Sequence, residues 1–144
     1  MIASILVICT GNLCRSPVAE RLLAQLYPRI TVHSAGLNAY EDMLADSVMI
    51  DLAEEKGMVL TDHRSKKFTP EKALAYDLIL VMEAKHAEVI NQQYPQLSGK
   101  CHLLTHWNGG ADIPDPYRKS HEFSRITFQM LMDATTAWKK VLLF

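Results

Sequence analysis

The sequence is short of cysteine, has no excess of either charge and contains no long apolar run. Each shortage removes a class of function. Three cysteines in 144 residues (Cys9, Cys14 and Cys101) are too few, and odd in number, for a disulfide framework. They fit a reduced, cytoplasmic protein. Fifteen Lys and Arg stand against sixteen Asp and Glu, a net charge of −1, which leaves no basic footprint for nucleic acid. No apolar stretch approaches the ~20 residues that a bilayer crossing needs, so no membrane insertion is expected. The opening MIASILVICTGN has no basic flank before it and no small-residue cleavage site after it. It reads as a buried first strand rather than a signal peptide. Repeats, low-complexity segments and linkers are lacking as well. A hydrophobic share of 49% in a chain of this length suits one domain with a sizeable core.

What is there alternates between strand and helix. Ser4 to Cys9 (SILVIC) is a continuous apolar run, as in a strand buried on both faces of a parallel sheet. Pro17 to Tyr27 has Val18, Leu22 and Leu26 at helical spacing, with Ser16 as N-cap and Pro17 in the first position. Thr31 to Ser34 is a short second strand. Leu44 to Lys56 is a second helix, with Leu44, Val48 and Leu52 inward and Gly57 closing it. Asp77 to Met82 is a third strand, Ala84 to Tyr94 a helix and Cys101 to Thr105 a fourth strand. A loop from His106 to Lys119 precedes a last helix, Glu122 to Val141. Phe123, Ile126, Met130, Ala134, Trp138 and Val141 would form its inner face. The alternation predicts a single α/β domain with a parallel sheet and right-handed crossovers. Ligands of such sheets sit at the carboxyl ends of strands, and the first strand ends at Cys9.

CTGNLCRS, Cys9 to Ser16, joins that strand to a helix N-terminus. Such a loop aims backbone N–H groups and a helix dipole at one point, which makes an anion site. Gly11 is expected to give the tight curl. Arg15, six residues after Cys9, brings a planar fork that takes two phosphate oxygens at once. Cys9 would lie at the floor of a positive cup that favours thiolate over thiol. A lone cysteine ending a buried strand is ordinarily just a small hydrophobe; strand, Gly, Arg, Ser and helix start together point to a nucleophile. The nucleotide-binding loop is excluded, since its Gly-Lys-Ser/Thr is missing. Cys14, five residues from Cys9, is placed to close a disulfide with it under oxidation.

Displacing the oxygen of a phosphate ester needs a proton donor. In IPDPYR, Pro114 and Pro116 flank Asp115 and stiffen its backbone, and Tyr117 follows to line a ring slot. Asp112 is the competing carboxylate, without prolines on both sides.

VICTGNLCRSPVAE, then HSAG, then IPDPYR near the end, resemble the low-molecular-weight protein-tyrosine phosphatases over essentially the whole chain. IPDPYRKS looks most like the bacterial branch that acts on tyrosine autokinases of capsule and exopolysaccharide assembly. The resemblance implies a four-stranded parallel sheet of order 2-1-3-4 with helices on both faces. It implies Cys9 as nucleophile, Arg15 as phosphate clamp and Asp115 as general acid, with Thr10, Gly11, Asn12, Leu13, Cys14 and Ser16 completing the phosphate loop. Ser16 would stabilise the Cys9 thiolate. Asn12 would hold the loop's shape through Ser34 and His63. Leu13, Tyr40 and Tyr117 would form the substrate rim. No metal or cofactor is implied; the partner implied is a phosphotyrosine protein.

There are departures. Arg118 stands where many relatives carry a second Tyr, Tyr40 where some have Trp, and Glu83 where some have Asp. A thioredoxin-coupled arsenate reductase shares the Cys-to-Arg loop but needs resolving cysteines after strand three, and Ser47 to Lys100 contains none. A phosphate-binding adaptor without catalysis is the other rival.

Overall fold

The computed structural model describes residues 1–142. Four strands, β1 (Ser4–Cys9), β2 (Thr31–Gly36), β3 (Leu78–Val81) and β4 (Cys101–Leu103), form one sheet of order β2-β1-β3-β4. Every pairing is parallel; β1 is central, with Ile5 opposite both Val32 and Leu78. The helices are α1 (Arg15–Leu26), α2 (Ser47–Glu55), a single turn α3 (Pro70–Ala73), α4 (Ala84–Gln93), α5 (His121–Ala137) and a short α6 (Lys139–Leu142).

The unbroken apolar run of β1 has two destinations. Ile5, Val7 and Cys9 face a core shared with α1, α2 and α5, while Leu6 and Ile8 face a second core with Ala73 of α3 and Ile90 of α4. Alternate side chains of one strand thus serve both layers, as a period of two demands. Cys9 ends the α1/α5 side.

Two helix starts differ from the sequence reading, each for a physical reason. Helix α1 begins at Arg15 with Cys14 as its N-cap, not at Pro17 with Ser16 as cap. The Ser16 hydroxyl is bonded to Cys9 and Asn12 instead of the helix end. Helix α2 begins at Ser47, because Asp46 caps it by accepting the Met49 N–H. Leu44 therefore lies outside the helix and is exposed, and the helix buries Met49, Leu52 and Ala53.

The face of α5 was misread. Phe123 and Met130 are only partly covered and Ile126 is exposed; the buried stripe is Ser124, Thr127, Phe128, Leu131, Ala134 and Thr135. Thr127 and Thr135 donate their hydroxyls to the carbonyls of Phe123 and Leu131, four residues back on their own helix. That satisfies the polar atom and lets the methyl pack inward. Trp138, just past the helix, is buried, and Val141 falls in α6 and is exposed.

Candidate active site

Everything chemical gathers at the carboxyl end of β1 and β3. The loop Cys9–Ser16 folds around Asn12, whose φ of 58° is left-handed. The sequence reading gave the tight curl to Gly11, but Gly11 keeps an ordinary φ and a side chain there would meet only Leu13, at 3.9 Å. Asn is among the residues best suited to that conformation, because its short polar side chain bonds locally. Every polar atom of Asn12 is used, and none of the residue is exposed. Its N–H approaches Cys9 Sγ at 3.3 Å. Its amide nitrogen donates to Ser16 Oγ at 2.7 Å and to Ser34 Oγ at 2.9 Å. Its amide oxygen accepts the Lys66 N–H at 2.9 Å. Its carbonyl accepts from His63 Nε2 at 2.8 Å. The expected support from Ser34 and His63 is present, with His63 bound to the main chain of Asn12. Burial holds the His63 pKa below its ordinary value, which keeps the ring neutral and Nε2 protonated toward Asn12. Ser34 in turn donates to Glu20.

Gly36 is the glycine this loop needs. A Cβ there would lie 2.5 Å from the Thr10 carbonyl oxygen and 2.9 Å from the Asn12 nitrogen. The end of β2 can run beside the loop only without a side chain.

Cys9 is 2% exposed, with Sγ 2.9 Å from Ser16 Oγ. The Ser16 oxygen already accepts from Asn12, so its proton is free to go to sulfur. Two donors thus face Sγ, the Ser16 hydroxyl and the Asn12 N–H. Cys14 is also buried and its thiol is free. Burial first, then the negative charges of Asp46 and Asp115, push the Cys14 pKa well up, so that sulfur stays protonated.

Arg15 is buried to 2% exposure, which for a guanidinium costs several kcal/mol unless it is paired. The partner is Glu83, the N-cap of α4 two residues past β3, 2.6 Å from Nη1. Nη1 also donates to the Ile113 carbonyl at 2.8 Å. Nη2 has only long contacts, 3.4 Å to Thr10 Oγ1 and 4.0 Å to Asp115. One side of the fork is therefore anchored and the other is left for a ligand. The sequence reading noted Glu83 only as a departure and missed this role. The signal was available: an acidic residue closely follows the apolar strand adjacent to β1.

Ile113 ties the acid segment into place. Its N–H donates to the Met82 carbonyl at 2.9 Å while its own carbonyl takes Arg15. Two residues on, Asp115 is half exposed and lines the cavity; its carboxylate accepts the Tyr117 N–H at 3.0 Å. Asp112 does not line the cavity; it accepts the Ala84 N–H at 2.8 Å at the start of α4. Asp115, and not Asp112, is the carboxylate on the cavity wall beside Cys9 and Arg15.

The cavity measures about 330 Å³, with Cys9 and Arg15 deep inside and Leu13, Tyr40, Met43 and Tyr117 around the mouth. Tyr40 and Met43 stand on a loop pinned by buried Ser65, which donates to the Tyr40 carbonyl at 2.5 Å and accepts the Met43 N–H at 2.9 Å. Met43, Ser65, Gly36 and His86 were not singled out from sequence.

A parallel sheet whose central strand ends in a buried cysteine, looping back through an arginine into a helix, defines a cysteine-dependent phosphatase architecture. Residues 4–143 match the low molecular weight phosphotyrosine protein phosphatase family, and the chain belongs to it. It is 40% identical over 142 residues to the low molecular weight protein-tyrosine-phosphatase Wzb of Escherichia coli K12, covering 99% of this chain and 97% of that one. Its fold matches the crystal structure of the tyrosine phosphatase Wzb from Escherichia coli K30 in complex with sulphate with a TM-score of 0.94 and 47% identity, covering 97% and 98% of the two chains. The YwlE arginine phosphatase from Geobacillus stearothermophilus is more distant, with a TM-score of 0.88 and 31% identity over 95% of this chain and 90% of that one. The chain is accordingly a protein-tyrosine phosphatase of the low-molecular-weight class, a phosphoric monoester hydrolase.

Proposed function

We propose that hydrolysis runs in two steps through Cys9. The Cys9 thiolate attacks phosphorus, forming an S–P bond as the bond from phosphorus to the tyrosyl oxygen breaks, and the Asp115 carboxyl passes its proton to that oxygen. Water then attacks the cysteinyl phosphate, Asp115 takes up a proton from it, and the S–P bond breaks to release inorganic phosphate and restore the thiolate. Arg15 Nη2 and the loop amides hold the equatorial oxygens, whose charge grows in the transition state. The observation that carries this reading is the pair of donors on Cys9 Sγ beneath a half-free guanidinium. Cys9→Ser should abolish turnover yet still bind phosphate or vanadate, because the amide cup survives. Residual activity within about tenfold of wild type sinks the assignment, since a lost covalent route costs far more.

The lining supports a phosphoaryl group. Leu13, Met43, Tyr40 and Tyr117 offer an apolar and aromatic slot, and among the described residues Asp115 is the sole carboxylate on the cavity wall. A phosphoarginine peptide tests the alternative that the arginine-phosphatase likeness raises; preferential turnover of it would reassign the substrate. For the physiological partner we propose a bacterial tyrosine autokinase of capsule and exopolysaccharide assembly. The IPDPYRKS segment and the likeness to Wzb support this reading, and with it we propose that the reaction is cytoplasmic. Among the described residues no helix is long and apolar enough to cross a membrane. Capture of a phosphorylated autokinase tail by Cys9→Ser, and its release by vanadate, checks the partner.

A further inference from the structure

The hydrogen bonds around Thr10 leave one proton without a partner. Thr10 follows the nucleophile and lines the cavity. Its Oγ1 is 3.0 Å from His86 Nε2 and 3.4 Å from Arg15 Nη2. His86 lies in the first turn of α4 and is 3% exposed. Its Nδ1 faces the Glu83 N–H at 3.1 Å. A backbone N–H can only donate, so Nδ1 carries no proton and the ring proton sits on Nε2. Burial, reinforced by the positive charge of Arg15, pushes the His86 pKa down to about 4, so the ring is neutral at working pH. Nε2–H therefore donates to Thr10, and Arg15 has only donors to offer. Both neighbours of the hydroxyl oxygen are therefore donors, Nε2–H at 3.0 Å and the longer Nη2 contact at 3.4 Å, and its own O–H has to point away from both. In front of it is the phosphate cavity.

We propose that His86 is a positioning residue that holds the Thr10 hydroxyl as a donor aimed at the phosphate oxygens. The proposal rests on the phosphatase reading of the site. It gives the junction of β3 and α4 two tasks: the Glu83 carboxylate orients Arg15, and the Glu83 amide, through His86, orients Thr10.

The experiment compares His86→Ala, His86→Gln, Thr10→Val and the double variant His86→Ala/Thr10→Val. Glutamine keeps an acceptor for Glu83 and a donor for Thr10, so it is the conservative rescue. The readouts are affinity for inorganic phosphate, kcat and KM on an aryl phosphate, and Tm. His86→Ala and Thr10→Val should each weaken phosphate binding and lower kcat/KM by roughly tenfold, the size expected for one donor to a charged oxyanion. The double variant should be no worse than the single ones, and His86→Gln should recover to within about threefold of wild type. Losses that add in the double variant, a glutamine no better than alanine, or a shift in Tm with phosphate affinity unchanged would each overturn the proposal. Should His86→Ala not fold, Thr10→Val decides alone: unchanged phosphate affinity overturns it. Failure of the underlying reading shows elsewhere, as wild-type protein without Cys9-dependent turnover.

Discussion

The phosphate loop and the rim above it share one cavity and are built in opposite ways. In the loop Cys9, Asn12, Arg15 and Ser16 are at most 2% exposed, and hydrogen bonds from β2, the start of α4 and the 63–66 segment fix their places. At the rim Tyr40 is 78% exposed and Tyr117 45%, and the Asp115 carboxylate has one short bond, to an amide two residues on. The difference follows from what each part meets. The phosphoryl group is the same in every substrate, so its donors can be set in advance without reorganisation. The peptide around it varies and must enter and leave, so the rim stays open. Variants in the loop should therefore cost chemistry on every substrate, while variants at the rim should discriminate between substrates.

The largest effect expected from a single charge-conserving change is at Arg15. Lysine keeps the charge but cannot hold Glu83 and Ile113 with one nitrogen while offering another to phosphate. Arg15→Lys should lower kcat/KM on the order of 10²-fold or more, equally for a phosphotyrosine peptide and a small aryl phosphate. Steady-state kinetics on both substrates check it. A loss confined to the peptide would erase the distinction between loop and rim.

Asp115 lies on the boundary between the two regions, and its variant sharpens the comparison. Asp115→Asn removes the proton for the leaving oxygen, a phenol with a pKa near ~10, while the cup stays intact. Phosphotyrosine cleavage should slow about 10²-fold, and an activated aryl phosphate, which leaves readily as an anion, far less. Equal losses on both, or the same differential from Asp112→Asn, would require another acid. Asp112 is already engaged with the Ala84 N–H, which argues for a small effect there.

The same contrast explains what could be read from the sequence. Strand β1 was placed to the residue because a strand buried on both faces leaves an unbroken apolar run. Cys9, Arg15 and Ser16 stood out because one short loop carries them all. Glu83, His86 and Ser65 did not, because each reaches the site from a distant segment and nothing local marks it. Intrinsic freedom points to Gly11 for the curl, whereas Asn12 adopts it through five partners, three of which, Ser34, His63 and Lys66, only the fold brings near. The inner stripe of α5 was misplaced because threonines that bond their own helix behave as apolar groups.

Acid should act on the loop's supports before it acts on the rim. His86 and His63 are buried and held neutral, the first with its pKa lowered to about 4 and the second in the same direction, both chiefly by burial. Between the unfolded value of ~6.5 and the folded one the unfolded chain binds more protons, so this stability is fully present above pH ~6.5 and is lost as pH falls toward 4. From pH 7 to 5.5, His86 alone should account for about 1 kcal/mol. Thermal melts across that range check it: Tm should fall, and His86→Gln should flatten the fall. A Tm independent of pH would mean that the ring titrates as freely as one at the rim.

The smallest effect belongs to the rim, at Arg118. Its guanidinium lies 5.3 Å from the centre of the Tyr117 ring, on a backbone with φ 58°. The stack holds an exposed cation beside the mouth of the cavity, in a chain whose charges otherwise nearly balance. A cation there attracts an acidic residue next to the phosphotyrosine, but in high dielectric the gain is modest, on the order of 0.5 kcal/mol. Arg118→Ala should therefore raise KM about two- to threefold for a peptide with a flanking Asp or Glu, with kcat unchanged. A peptide with neutral flanks should be indifferent to the change. The difference between the peptides should shrink as salt rises, because exposed charges a few ångströms apart are screened. Comparing KM for the two peptides at low and high ionic strength measures this directly. A loss equal for both peptides and insensitive to salt would mean that Arg118 works by bracing the Tyr117 ring, which would make that part of the rim a fixed wall and bring it closer in kind to the loop beneath it.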